Sequence, residues 1–209
     1  MADNSKAASK FGAAVGLSGA PAFKKDENIV DLVIADHNQA KSLYEQYKAS
    51  NDLDEKIKLR NNIVKTLVQH DECEQLLMYP LLREKVGGEI GEGHYARSLA
   101  EHQELRELMY SVRYADVKED PKEFDSKLEN AMNAVIHHVA QEEKEVLPLL
   151  TEHCTEDELR RVGASFKAHK PLSVTRPHPN APSQGYPAAV TNLILKPFDK
   201  IKDLWEGVA

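Results

Sequence analysis

The chain has 209 residues, of which 41% are hydrophobic and 6% aromatic, and its 27 Lys and Arg against 34 Asp and Glu give a formal net charge of −7. This length predicts one domain with a modest core, and the acidic balance argues against a nucleic-acid-binding surface, which is usually basic. No apolar run approaches the roughly 18 residues of a membrane span, and two cysteines are too few for a disulfide framework. The aromatic residues that fill β-sheets are scarce, which favours an all-α protein. The low number of cysteines favours the reducing cytoplasm.

Residues 1–25 are rich in Ala, Gly, Ser and Lys, and Asp3 is the only acid among them. They lack the apolar stretch of a secretory signal peptide and the arginines of a typical transit peptide. We therefore expect a flexible N-terminal arm, with organelle targeting as the alternative.

Four long helices are predicted between residues 26 and 170, because proline is nearly absent there and turn residues interrupt the apolar periodicity at only three places. One of these places is the cluster of Gly87, Gly88, Gly91 and Gly93. The predicted ranges are 26–49, 53–86, 93–117 and 121–153, followed by a shorter helix over 155–168. Together they predict a four-helix bundle with an added fifth helix.

Several residues are placed to start these helices. Asp52 and Asp120 are suited to cap the second and fourth helices, and Pro121 suits a first helical turn. Thr155 and Glu158 have the spacing of a capping box at the start of the shorter helix.

The composition changes over residues 171–209. Prolines lie among Ser, Asn and Gly between residues 171 and 190, which is typical of extended coil. Phe198, Ile201 and Trp205 then share one face of a short amphipathic helix. We expect this segment to pack on the bundle, with contact to a membrane surface as the alternative.

Each of the four long helices carries one histidine in its apolar stripe, read in steps of three and four residues. These histidines are His37, His70, His102 and His138. Glu74 and Glu142 follow His70 and His138 one turn later and stay in phase with the same stripes. The segments HDECEQLLMYPLL and HVAQEEKEVLPLL, which begin at these two histidines, also share a Pro-Leu-Leu ending. Two helices of one bundle therefore present the same chemical pattern.

The six in-phase side chains together predict a metal site. One such histidine alone is usually an ordinary core residue, but a carboxylate in an apolar core is costly unless it is paired or bound to a metal. Nitrogen and oxygen donors without sulfur favour iron or manganese, and then zinc. Six donors exceed the four of a closed zinc site and suit two ions with positions left open for a small ligand. The predicted donors are His37, His70, Glu74, His102, His138 and Glu142.

The set of motifs resembles the hemerythrin-like, or HHE cation-binding, family. The similarity is carried by IADHNQ at His37, QHDECEQLLMYPLL at His70 and Glu74, AEHQEL at His102, and HHVAQEEKEVLPLL at His138 and Glu142. TRPHPNAP around His178 is similar to a segment that follows the bundle in many members. The resemblance covers about residues 27–182.

The resemblance implies an antiparallel up-down four-helix bundle around a non-haem, usually di-iron, centre. Two irons bridged by an oxygen atom and by carboxylates bind O2 reversibly in the oxygen carriers of the family. Other members sense oxygen, iron or redox state, or act on peroxide or nitric oxide. Carried over by motif, the six residues above would be ligands, with Glu74 and Glu142 as the bridging carboxylates.

One position departs from the pattern of the oxygen carriers. They have a second histidine four residues after the third-helix histidine, where this chain has Arg106. Asp71, Glu101 and His94 are the candidate replacements, and without one of them a metal ion has an extra open position. The departure weakens the case for a dedicated oxygen carrier and favours sensing or peroxide chemistry.

Further side chains are candidate neighbours of the site. Arg106 could lie near a bound anionic oxygen species, although we expect a surface position with its guanidinium in solvent. Tyr44 lies on an inward stripe and could hydrogen-bond a ligand, with core packing as the alternative. In the acidic run from Glu142 to Glu145, the residues after Glu142 are expected on a solvated face.

The sequence therefore predicts a non-haem iron protein that binds O2 or a related small oxidant, for oxygen, iron or redox sensing or handling. Any turnover would be oxidative, such as peroxide or nitric oxide chemistry. One alternative is a metal-responsive module that presents a surface, such as residues 171–209, to a protein partner. Another is a structural bundle that holds zinc or a single metal ion without ligand chemistry.

Overall fold

The computed structural model describes residues 27–116 and 119–181, together with residues 195–197, 199–200 and 202–203. Within this part of the chain the secondary structure is helical, and the long helices pack antiparallel in a four-helix bundle, as predicted. None of the described helices is long and apolar enough to cross a membrane. The predicted arm over residues 1–25 lies outside the described residues.

Six α-helices lie between residues 27 and 170 of the described chain. They are α1 (Ile29–Ala49), α2 (Leu53–Cys73), α3 (Gly88–Arg113), α4 (Pro121–Gln141), α5 (Leu147–His153) and α6 (Glu156–His169). Helix α1 packs beside α2, α3 packs on both α2 and α4, and α6 crosses α1. The short 3-10 turn Lys170–Leu172 follows α6.

Side chains cap the starts of four helices. Asp52 and Asp120 cap α2 and α4, with Pro121 in the first turn of α4, so these three predictions are confirmed. Thr155 starts α6 through the predicted capping box, and Asn28 starts α1 through a second one. Each cap satisfies backbone N–H groups that the first turn of a helix leaves unpaired.

The chain widens into π-helical turns directly after α2 and α4. The turns are Glu74–Met78 and Leu82–Val86 after α2, and Glu142–Val146 after α4. Two of them begin at the glutamate of the repeated motif. The predicted helix over 53–86 is therefore an α-helix followed by two π turns, and the predicted helix over 121–153 is α4, one π turn and α5. Such π turns often occur at functional sites.

Helix α3 begins at Gly88, earlier than the predicted residue 93. Gly87 and Gly88 have φ angles of 65° and 58°, which residues with a Cβ rarely adopt, so these two glycines form the turn. Gly91 lies inside α3, where a Cβ would come within 2.1 Å of the backbone oxygen of Leu82. Glycine is needed there because two backbones approach closely.

Two apolar clusters lie on either side of a polar layer. One contains Tyr44 and Tyr47 of α1 and Phe124 and Leu128 of α4. The other contains Ile29 and Leu147 with their neighbours from the opposite end of the bundle. The predicted metal-binding side chains lie between the two clusters along every long helix.

The described residues after α6 contact the bundle. Val174 packs in the first apolar cluster, and its backbone N–H donates to Glu72 at 2.9 Å. Asp199, in a helical stretch of the C-terminal residues, accepts from the backbone N–H groups of Thr175 and Arg176 at 3.3 and 3.2 Å. The predicted apolar face of Phe198, Ile201 and Trp205 lies outside the described residues.

Candidate metal centre

The structure brings all six predicted donors together in the polar layer. Helices α1, α2, α3 and α4 each contribute one histidine, and the first residues of two π turns contribute Glu74 and Glu142. All six side chains are buried. Their donor atoms form two groups, each with its members within 4.8 Å of one another. The groups are His37, His70, Glu74 and Glu142, and Glu74, His102 and His138.

The first group has inward-facing Nε2 atoms and carboxylate oxygens. His37 Nε2 lies 3.2 Å from His70 Nε2 and 3.2 Å from Glu142 Oε2. His70 Nε2 lies 3.1 Å from Glu74 Oε1. Four donors from α1, α2 and two π turns thus surround one small volume.

The second group shares Glu74 with the first. His102 Nε2 lies 3.0 Å from His138 Nε2 and 3.5 Å from the other oxygen of Glu74, Oε2. Glu74 therefore faces both groups, one oxygen to each. Glu142 has Oε2 in the first group, and its Oε1 lies 2.8 Å from the hydroxyl of Tyr79.

Tyr79 lies beside the second group, although the sequence did not predict it. Its side chain is fully buried, and its hydroxyl lies 2.8 Å from His102 Nε2 and 3.3 Å from Glu74 Oε2. Tyr79 follows Glu74 by five residues, and its N–H donates to the Glu74 carbonyl at 2.8 Å in the π turn. An α-helical period would not place these two residues on one face, whereas the wider turn does.

Every one of the four histidines has a carboxylate at its outer nitrogen, Nδ1. The distances are 2.9 Å for His37 to Glu143, 3.3 Å for His70 to Asp36 and 2.7 Å for His138 to Glu101, and Asp71 is in direct contact with His102. A carboxylate accepts a hydrogen bond from the Nδ1–H group and leaves the Nε2 lone pair directed inward. This arrangement is typical of metal-binding histidines.

The inward atoms fit a cation better than they fit each other. With Nδ1 protonated, two facing Nε2 lone pairs, such as those of His37 and His70, cannot hydrogen-bond. The buried oxygens Glu74 Oε1 and Glu142 Oε2 have no hydrogen-bond partner among the described residues. A buried polar atom without a partner is costly, and a metal ion among these atoms removes that cost.

The pKa values of two donors also indicate a site suited to a cation. Burial raises the pKa of Glu74 well above its usual range, and the adjacent Glu142 carboxylate raises that pKa further. Burial lowers the pKa of His70 to about 4, so this imidazole is neutral at neutral pH. A cation bound among these side chains would favour the ionised carboxylates and neutral imidazoles, which are the forms that bind metal.

The candidate replacements for the seventh ligand lie outside the two donor groups. Asp71 and Glu101 are the carboxylates at Nδ1 of His102 and His138. His94 lies on α3 with its Nδ1 2.9 Å from a guanidinium nitrogen of Arg97. Tyr44 packs in the first apolar cluster, stacked on Tyr47, as the packing alternative predicted.

The expected solvent position of Arg106 is wrong. Its side chain is only 10% exposed, and its guanidinium donates to Asp71 at 3.0 Å. The Asp71 carboxylate attracts the guanidinium into the bundle, beside the carboxylate's contact with His102. In the acidic run, Glu143 is 34% exposed, and its carboxylate also lies 2.9 Å from His37 Nδ1.

A cavity of about 30 Å³ opens beside the second group. Its walls are mainly the aliphatic side chains of Leu67, Leu105, Met109, Val135 and Val139, and the imidazoles of His70, His102 and His138 reach it. This volume accommodates one or two molecules the size of water. Arg106 and Asp71 also line it.

Comparison with known proteins identifies similar sequences. A family model described as the hemerythrin HHE cation-binding domain matches residues 28–150. An uncharacterized hemerythrin-like protein of Schizosaccharomyces pombe is 30% identical over 182 residues, which are 87% of this chain and 88% of that protein. A DNA nickase of Nostoc sp. is 27% identical over 147 residues, which are 70% of this chain and 40% of the nickase. No solved structure matches.

Proposed function

Because the chain belongs to the hemerythrin HHE cation-binding family, we propose that it holds two metal ions, iron in the first instance, and binds O2 or a related small oxidant beside them. The observation that carries this proposal is Glu74, whose two oxygens face two different groups of inward histidine nitrogens. Carboxylates bridge pairs of metal ions in other four-helix bundles.

The proposed ligands divide between two sites. His37 and His70 serve the first ion, and His102 and His138 serve the second. Glu74 would bridge the two ions, and Glu142 would do so as well, because its Oε2 belongs to the first group and its Oε1 faces Tyr79 beside the second. The Tyr79 hydroxyl, 2.8 Å from His102 Nε2, is our candidate for the seventh donor that Arg106 does not supply.

Iron bound in these sites would supply reversible electron transfer to and from a small oxidant. The protein contributes the surroundings. The aliphatic wall of the cavity excludes bulk water and admits small neutral molecules. The Tyr79 hydroxyl can donate a hydrogen bond at the inner face of the second group, and Arg106 places a positive charge at the cavity wall.

This combination supports sensing or handling of oxygen, iron or peroxide more than dedicated oxygen carriage. The oxygen carriers have a histidine where this chain has Arg106, and a guanidinium beside the cavity favours anionic oxygen species. Any catalytic turnover would consequently be oxidative.

Absorbance of the iron-loaded protein tests the proposal. Wild-type protein loaded anaerobically with ferrous iron should change its visible spectrum on addition of O2 or peroxide. Glu74→Ala and His138→Ala should bind less iron and lose the change. His153→Ala is the matched control, because His153 is an exposed residue at the end of α5. An iron-loaded wild type that stays colourless with both oxidants would contradict the proposal and favour a structural metal bundle.

A second candidate is a metal-responsive interaction module. It is favoured by the contacts that residues after α6 make with Asp36, the carboxylate at His70, and with Gln103 of α3. The two candidates share the metal site and differ in whether bound metal changes the surface near these residues.

A further inference from the structure

Contacts lead from the residues after α6 to the carboxylates that orient two of the four histidines. We call residues 170–181 the C-terminal segment. Its first residue, Lys170, and its later residue Pro179 each begin a chain of contacts that ends at a proposed ligand. The two chains enter the bundle from the same segment and end in different donor groups.

The first chain runs from Lys170 to His70. The Lys170 ammonium pairs directly with Asp36 Oδ1, and the side chain of Asp36 is 1% exposed. The other oxygen of Asp36 lies 3.3 Å from His70 Nδ1. One buried carboxylate therefore joins a cation of the C-terminal segment to a histidine of the first donor group.

The second chain runs from Pro179 to His102. Gln103 Nε2 donates to the Pro179 carbonyl at 3.1 Å, and Gln103 Oε1 accepts from Arg106 at 3.2 Å. Arg106 donates to Asp71 at 3.0 Å, and Asp71 contacts His102 Nδ1. Gln103 is thus the link between the C-terminal segment and the histidine of the second donor group.

The other two histidines are supported without the C-terminal segment. Glu143, at His37, lies 3.5 Å from Lys41 of α1, and Glu101, at His138, lies 3.8 Å from Arg97 of α3. Both cations belong to bundle helices and are 38% exposed. Only His70 and His102, one in each donor group, are joined to the C-terminal segment by the contacts described.

The C-terminal segment is itself held by polar contacts of its backbone. Gln69 donates to the Lys170 carbonyl at 2.9 Å, and Glu72 accepts from the Val174 N–H at 2.9 Å. Both side chains belong to α2, within two residues of His70. The segment is therefore held by residues of α2 that lie within two positions of His70.

We propose that Lys170 and Gln103 are positioning residues that couple docking of the C-terminal segment to retention of metal. This inference rests on the proposed metal site. It adds that docking of the C-terminal segment affects how tightly that site retains metal. When the segment is docked, Asp36 and Asp71 hold His70 and His102 with Nε2 inward. By thermodynamic reciprocity, metal on these nitrogens stabilises the docked segment by the same free energy.

Hydrogen–deuterium exchange and iron release on the full chain test the coupling. Exchange over residues 170–181 is measured in the metal-free protein and after anaerobic loading with ferrous iron. Release of iron to a chelator is timed in the wild type, Lys170→Met and Gln103→Leu. Lys127→Met is the control, because this substitution removes the same charge as Lys170→Met. Lys127 pairs with Glu123 on the exposed face of α4.

In the wild type, loading with iron should slow exchange over residues 170–181 several-fold. In Lys170→Met this slowing should be lost near Val174, and iron release should be on the order of 10-fold faster, the effect typical of residues that orient metal ligands. Gln103→Leu should act in the same direction, and Lys127→Met should behave as the wild type in both measurements.

The outcomes separate this inference from the proposed function. A wild type that binds iron, with exchange unchanged by loading and with release unaffected by Lys170→Met and Gln103→Leu, would overturn the coupling alone. Lys170→Met that loosens the segment but releases iron at the wild-type rate would also overturn it, because Lys170 would then be merely structural. A folded wild type that takes up no iron would overturn the proposed metal site and the coupling with it.

Discussion

At the scale of single residues, the carboxylate at each histidine determines which nitrogen is available. Asp36, Asp71, Glu101 and Glu143 each contact a histidine at Nδ1. The proton held there leaves four Nε2 lone pairs facing the interior of the bundle. These four carboxylates lie outside the two donor groups and orient the histidines within them.

Tyr79 gives a prediction for the second donor group. Tyr79→Phe removes the hydroxyl beside His102 and Glu142 and keeps the ring that fills the core. We expect the variant to stay folded and to bind iron more weakly in the second group. The ferric protein should also lose any visible absorption that arises from phenolate bound to iron.

Iron content after dialysis and the visible spectrum are the measurements for this variant. If Tyr79 only packs the core and hydrogen-bonds its neighbours, the iron content and the visible spectrum of Tyr79→Phe should match those of the wild type. That result would exclude Tyr79 as the seventh donor and leave the six predicted donors in place.

The six predicted donors could be found from the sequence because α-helical periodicity holds up to Glu74 and Glu142. The structure brings all six together. Tyr79 was missed because the period changes inside the π turn. Asp36 was missed because its contact with His70 crosses from α1 to α2, and no local pattern reports such a contact.

At the scale of helices, the turn between α2 and α3 depends on glycines with different roles. Gly87 and Gly88 adopt positive φ, whereas Gly91 allows the backbone of Leu82 to approach. Gly93 is exposed, and a Cβ there would meet no atom of the described chain within 4 Å. In the sequence, these four glycines indicate a single break between helices. Their separate roles depend on tertiary contacts, which the sequence pattern does not show.

These roles predict opposite effects of two neighbouring substitutions. Gly91→Ala should lower the free energy of unfolding by about 1–3 kcal/mol, because its Cβ would overlap a backbone oxygen. Gly93→Ala should raise it by up to about 1 kcal/mol, because alanine loses less entropy in a helix. Urea unfolding of the two variants measures both changes, and equal effects would contradict the close approach at Gly91.

The start of α6 gives a prediction of pH dependence. Contact with the Lys85 ammonium and hydrogen bonds from Thr155 lower the pKa of Glu158 to about 2 from its usual 4.5. The carboxylate therefore stabilises the fold above pH 4.5, and this stabilisation is lost as the pH falls from 4.5 towards 2. In the metal-free protein, Glu158→Gln should melt below the wild type at pH 7.

The difference in melting temperature between wild type and Glu158→Gln should disappear as the pH approaches about 2. Thermal unfolding followed by circular dichroism across this range measures it. A difference that is constant with pH would show that the charge of Glu158 does not contribute to the capping of α6.

At the scale of the whole molecule, the proposed metal centre is a polar layer between two apolar clusters. Burial of the two clusters stabilises the bundle, which places the four histidines at one level. Bound metal would stabilise the folded state further by its binding free energy. All-α composition and helical periodicity predicted this architecture. The contacts of residues 170–181 could not be predicted, because Pro-rich coil carries no periodic signal for its position.

The most direct test of the account is the metal content per chain of untagged protein purified without added metal, measured by inductively coupled plasma mass spectrometry. Two donor groups that share Glu74 predict about two iron ions per chain, and Glu74→Ala should lose both. A well-folded protein that contains no metal and does not bind added iron would contradict the account. The six buried donors would then be paired with one another and not with metal.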